Sequence, residues 1–109
     1  MLIAIAGPYS SSTPEGRQAN LDRLHRAATE VFRLGHVPVI GVDAALPVVE
    51  MLDGEDRYEA IMRISMAVVE RCDALLIIAE SPGANRECDL IAALGRPVYR
   101  SVEEIPPVR

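Results

Sequence analysis

A chain of 109 residues, half of them apolar, is the size of a single domain with one hydrophobic core. One Phe, three Tyr and no Trp leave that core to aliphatic side chains. The formal charge of −5 argues against a nucleic-acid polymer as partner, because such binders gather Lys and Arg on one face; a small anion held locally by backbone amides remains compatible.

Leu2 to Ala6 is a continuous apolar run stopped by Gly7-Pro8, which predicts a buried first strand. The run is too short for a signal h-region and lacks a basic flank, and nothing approaches the roughly 20 apolar residues of a membrane span. A cytoplasmic protein without membrane contact is therefore expected. Residues 10 to 16, rich in Ser, Thr, Pro and Gly, read as a loop. A helix follows, with Leu21, Leu24, His25, Ala28, Val31 and Phe32 on one face at helical spacing and Gly35 as its stop.

Val37 to Val42 reads as a second strand, placed at a sheet edge by Pro38, which has no N–H for a ladder. Asp43 to Leu52 has room for a short helix before the polar break Asp53-Gly54-Glu55-Asp56. Tyr58, Ile61, Met62, Ser65, Met66 and Val69 mark the next helix, capped by Asp53 or Asp56. Ala74 to Ala79 has no polar member and fits a central parallel strand covered on both faces. Ser81-Pro82 opens a helix that runs to Leu94 and stops at Gly95. Pro97-Val98-Tyr99 is a last short strand, and Ser101 to Glu104 carries a capping-box pattern ahead of Pro106-Pro107.

This order predicts an α/β fold: a three-layer, doubly wound parallel sheet of four to five strands, flavodoxin/Rossmann-like, in the order 2-1-3-4. Ligands of such sheets bind beyond the carboxyl ends of the strands at the switch point, here between the first and third strands. Two loops are thereby brought together. Gly7, Pro8, Tyr9, Ser10 and the following hydroxyls, with Arg17 just beyond, form one wall; the bland alternative is a solvated loop with Thr13 as a helix cap. Ser81, Gly83, Ala84 and Asn85 form the other, where free amides at a helix N-terminus favour an anion or a polar sugar.

Glu87, in the second turn of that helix, is expected to stay charged near the helix dipole, as a nucleophile would; it also fits an ordinary acid supporting the helix. Asp43 ends the second strand and faces the same edge, or caps the segment behind it. Arg63 is a further candidate or a solvated cation. Met51, Met62 and Met66 read as core filling. His36 reads as a dipole partner at a helix end, and Asp73 as a partner for backbone groups. Cys72 and Cys88 have neither metal spacing nor disulfide density and read as reduced thiols, while His25 and His36 lie apart, so neither metal nor cofactor is expected.

Gly7-Pro8-Tyr9, Asn20, Gly35-His36-Val37-Pro38, Cys72-Asp73-Ala74-Leu75, Ser81 to Glu87 and Ala92 to Val98, taken in that order, resemble the nucleoside 2-deoxyribosyltransferase-like superfamily, and most of all its small DUF4406-like branch. The likeness spans roughly residues 2 to 105. It implies chemistry at the N-glycosidic bond of a nucleoside or its monophosphate, with Glu87 as nucleophile and Tyr9 orienting it or the sugar by a hydrogen bond. It also implies a homodimer or higher homo-oligomer. The active enzymes carry an Asp on the helix before the third strand, and here that position is Ser65. Where transferases often have another Asp, six residues before the nucleophile, this chain has Ser81. A proton for the leaving base then has to come from Tyr9, Asp43 or a partner subunit; otherwise the fold binds a nucleotide without cleaving it.

Overall fold

The computed structural model describes residues 1–54 and 56–108; Glu55, part of the expected polar break, lies outside the described residues. Strand β1 (Leu2–Ala6) leads into helix α1 (Pro14–Arg33), edge strand β2 (Val37–Val39), helix α2 (Gly41–Val49) and helix α3 (Arg57–Val69). Strand β3 (Ala74–Ile77), helix α4 (Pro82–Ala93), strand β4 (Val98–Tyr99) and a 3₁₀ turn at Val102–Glu104 complete the chain. The four strands form one parallel sheet in the order β2-β1-β3-β4.

The strand pattern explains both layers. Ile3, Ile5 and Leu76 point to the face covered by Leu24 and Val31 of α1, whereas Ala4, Ala6, Leu75 and Ile77 point to the face covered by Val69 of α3 and by Ala84 and Ile91 of α4. A strand buried on both sides has no position for a polar side chain. β1 and β3 run in register from Ile3 opposite Ala74 to Ala6 opposite Ile77. Asp73 fastens the entry of this pair, its Oδ2 accepting from the Leu2 N–H at 2.8 Å.

Local signals set most boundaries. The side chains of Thr13, Asp56 and Ser81 cap α1, α3 and α4 by accepting N–H bonds from Gly16, Glu59 and Ala84. Because Thr13 is a working cap, α1 begins at Pro14, so residues 14 to 16 are helical and not part of the expected loop. Ser101 and Glu104 close the capping box around the final turn. Arg96 donates to the carbonyls of Glu70 and Cys72, closing the end of α3.

Some expectations give way to packing. β2 stops at Val39 instead of Val42, because the chain turns at Ile40 and starts α2 at Gly41. Gly41 lies against Ser65 of α3, where any Cβ would collide with the serine hydroxyl, so α2 docks on α3 through a residue without a side chain. Asp43 therefore sits in the first turn of α2 and does not end β2. Phe32, expected on the buried face of α1, is 67 % exposed, and Met51 is exposed outside the core, unlike buried Met62. His36 is buried; its Nε2–H donates to the Pro106 carbonyl at 2.6 Å, a long-range tie and not a helix-end partnership.

Gly35 ends α1 with φ of 94°, a conformation that L side chains avoid, and an added Cβ would also press on Val108. Gly35→Ala is expected to cost about 1–2 kcal/mol. Urea unfolding should show a lower midpoint with an unchanged m-value.

Candidate functional site

β1 and β3 end at the same level, since Ile78 N–H continues the ladder to the Ala6 carbonyl at 2.9 Å. The loop after Ala6 and the turn before α4 therefore face each other across the sheet's carboxyl edge, as the switch-point rule requires. Between them lies a cavity of about 780 Å³, within the size range of small-molecule sites.

One wall is the Gly7-Pro8-Tyr9-Ser10 segment. It is tied to α1 through Asn20, whose Nδ2 donates to the Tyr9 carbonyl at 2.9 Å, and through Arg17, whose Nη1 donates to the Ser11 carbonyl at 3.0 Å. The hydroxyl-rich loop is thus held by side chains of the helix that follows it. The opposite wall is Ser81, Gly83 and Ala84 at the start of α4. Pro82 has no N–H, Ala84 N–H is taken by Ser81 Oγ and Asn85 N–H by the Ser81 carbonyl. Gly83 keeps the one N–H of this turn with no partner among the described residues, so the expected anion grip of several amides is reduced to one.

Glu87 projects from the second turn of α4 into the cavity and is only 7 % exposed. Ser65 Oγ, on α3 and itself buried, donates to Glu87 Oε1. Gly41 makes room for that serine, as described above. Of the two roles expected for Tyr9, a hydrogen bond to Glu87 is not among those of the described residues, and a bond to the sugar needs a ligand; Tyr9 lines the same cavity as Glu87, while its carbonyl serves Asn20.

The protonation state of Glu87 also differs from the sequence expectation. Burial pushes its pKa from 4.5 up to about 7, and the Ser65 hydrogen bond offsets only part of this. A helix dipole contributes up to about 1 kcal/mol near the surface and does not match the loss of water around a carboxylate. Near neutral pH the group is present in both charged and neutral forms, so it can give or take a proton as well as attack.

Not every sequence candidate reaches the cavity. Asn85 is exposed and is not part of the cavity lining. Asp43 pairs with His25 of α1 at 2.7 Å, outside the cavity wall. Arg63 belongs to a shallow apolar groove with Leu2, Val39 and Val68 on another side of α3. In exchange, Arg57, Tyr58, Ile61 and Met62 of α3 line the site. The helical spacing of Tyr58, Ile61 and Met62 was legible, but it marks an apolar face equally well for a core and for a pocket wall; Arg57 was not singled out by that pattern. Among the described residues no group of three or more His, Cys, Asp or Glu is gathered to hold a metal, and no helix is long and apolar enough to cross a membrane.

Residues 1–100 match the model of a family described as a domain of unknown function (DUF4406). No curated protein matches the chain.

The buried carboxylate has a stability signature. Below about pH 4.5 both folded and unfolded chains hold the Glu87 proton; between about 4.5 and 7 only the folded chain holds it, so stability falls as pH rises through that window. Glu87→Gln removes the cost, and its stability relative to the parent should rise by roughly 2–3 kcal/mol between pH 4 and pH 8. Urea unfolding of both proteins across that range checks this. Ser65→Ala, which takes away a donor to the charged form, should move the Glu87 titration to higher pH, read by carbon-13 NMR of the side-chain carboxyl.

Proposed function

The chain belongs to the DUF4406 family, and from that premise we propose that it cleaves or transfers the N-glycosidic bond of a nucleoside or nucleotide, with Glu87 as the nucleophile. The observation that carries this reading is a buried carboxylate lining a cavity whose walls include the Gly7-Pro8-Tyr9 loop and the Ser81–Ala84 turn. The ordered resemblance to the nucleoside 2-deoxyribosyltransferase-like superfamily supports the same position for the attacking group.

In this reaction a Glu87 oxygen attacks the anomeric carbon as the bond to the base breaks, giving a glycosyl ester on the enzyme. Ser65 holds Oε1, which leaves Oε2 to attack. Water then releases the sugar, or a second base takes it. The base leaves with a proton, and the phenols of Tyr9 and Tyr58 are the hydroxyls of aromatic residues that line the cavity. Asp43, committed to His25 away from the wall, is a poor source. The ionised fraction of Glu87 sets the rate of attack, so activity should rise through a midpoint near pH 7.

A second reading is favoured by one observation: Glu87 is the only carboxylate lining the cavity among the described residues, while glycosidic chemistry is commonly run by two. On that reading the same cavity binds a nucleotide or sugar phosphate without cleaving it. A homodimer or higher homo-oligomer goes with either, and sedimentation equilibrium measures it.

Incubation with 2′-deoxynucleosides and their 5′-monophosphates, followed by chromatography for free base, separates the readings. Catalysis predicts base release that drops by at least about 10²-fold in Glu87→Gln, together with a glycosyl adduct on Glu87 in the intact-protein mass. Thermal stabilisation by nucleotides without base release would leave the binding role.

A further inference from the structure

We propose that the cavity recognises a phosphomonoester between the guanidiniums of Arg17 and Arg57, making nucleoside monophosphates its substrate class in place of nucleosides. The nucleoside part of this assignment rests on the glycosidic reading above; the phosphate part rests on the charges around the cavity.

The whole chain is acidic, with 16 Asp and Glu against 11 Lys and Arg. The cavity reverses that balance. Its described lining has two arginines against the single carboxylate of Glu87, and that carboxylate is buried beside Ser65 and part-neutral at pH 7. A pocket evolved around an uncharged nucleoside has no need of two guanidiniums, whose planar N–H forks match phosphate oxygens.

The two cations come from different elements. Arg17 lies in the first turn of α1, where its Nη1 is fixed on the Ser11 carbonyl; the rest of the fork has no partner among the described residues, and less side-chain entropy is lost on binding. Arg57 is the first residue of α3, placed by the Asp56 cap. The hydroxyls of Ser10, Ser11 and Ser81 lie in the same lining and add donors of a suitable kind. Both arginines are more exposed than Glu87, so the anion sits toward solvent and the sugar carbon toward the buried carboxylate.

A third arginine gives an internal control. Arg86 stands on the neighbouring surface, but its Nη1 is held by Glu59 at 2.9 Å and its guanidinium rests 5.7 Å from the centre of the Tyr58 ring. It does not line the cavity. If nearby positive charge alone drew the ligand, Arg86 would matter as much as Arg57.

Calorimetric titration of the full chain, in the Glu87→Gln background so that ligands stay intact, tests the assignment with a matched 2′-deoxynucleoside and its 5′-monophosphate. The monophosphate should bind at least about tenfold more tightly, with the gap narrowing as salt is raised. Arg57→Met and Arg17→Met should each reduce monophosphate affinity by roughly 10- to 100-fold and leave nucleoside affinity within about twofold, whereas Arg86→Met should change neither. Circular dichroism melts confirm that the variants are folded, and Arg57→Lys should recover part of the loss.

Equal affinity for both ligands, or equal losses in Arg57→Met and Arg86→Met, overturns the phosphate subsite while base release from nucleosides would leave the glycosidic reading standing. Conversely, tight Arg57-dependent binding of deoxyribose 5-phosphate without base release from any nucleotide by the parent protein supports the subsite and removes the glycosidic reading.

Discussion

The parallel pairing of β1 with β3 is the constraint on which the site depends. These strands are buried on both faces, and their register brings Ala6 opposite Ile77. Side chains of alternating direction lock that register, because a slip of one residue would turn each apolar set to the wrong layer. With the register set, both strands end together, and the Gly7 loop and the α4 turn have no option but to face each other. The helix caps then fix where each wall begins. Ser81 starts α4, which carries Glu87 inward on its second turn. Asn20 and Arg17 hold the first wall against α1.

Glu87 is a buried carboxylate in a fold whose described core is mostly apolar. Taking its carboxylate out of water opposes folding once it is ionised, and one hydroxyl offsets only part of that cost. The arrangement around it is specific: Ser65 can approach because Gly41 has no side chain, and α2 packs on α3 at that contact. A stability-optimised protein would place an apolar residue at position 87. A buried acid poised near neutrality in a ligand-sized cavity is what a proton-handling or nucleophilic site requires.

Ser65 also marks where the chain departs from the pattern it resembles. A carboxylate there would put two acids in contact within one buried site, and the like charges would raise one of the two pKa values further. A serine instead gives Glu87 a neutral donor and leaves the described lining of the cavity with one acid and two arginines. The charge balance of that described lining is thus the reverse of the chain's, which as a whole is acidic.

The amino-acid sequence by itself determined the elements and their order, since those follow from near-neighbour physics. Continuous apolar runs and period-3.6 patterns, Gly35 and Gly95 as stops, and Ser81, Asp56 and Ser101 as caps all act within a few residues of one another. The alternation of strands and helices made the flavodoxin-like order 2-1-3-4 the expected one, and the sheet has that order, so much of the cavity wall was legible too. Only the tertiary structure decided what each side chain meets there. That Ser65 and not Tyr9 bonds Glu87, that Asp43 turns to His25, that Arg57 enters the wall and Arg63 does not, depends on how α2 and α3 dock. The charge on Glu87 was beyond sequence for the same reason: desolvation is set by the groups that surround a carboxylate in space, and these come from residues far apart along the chain.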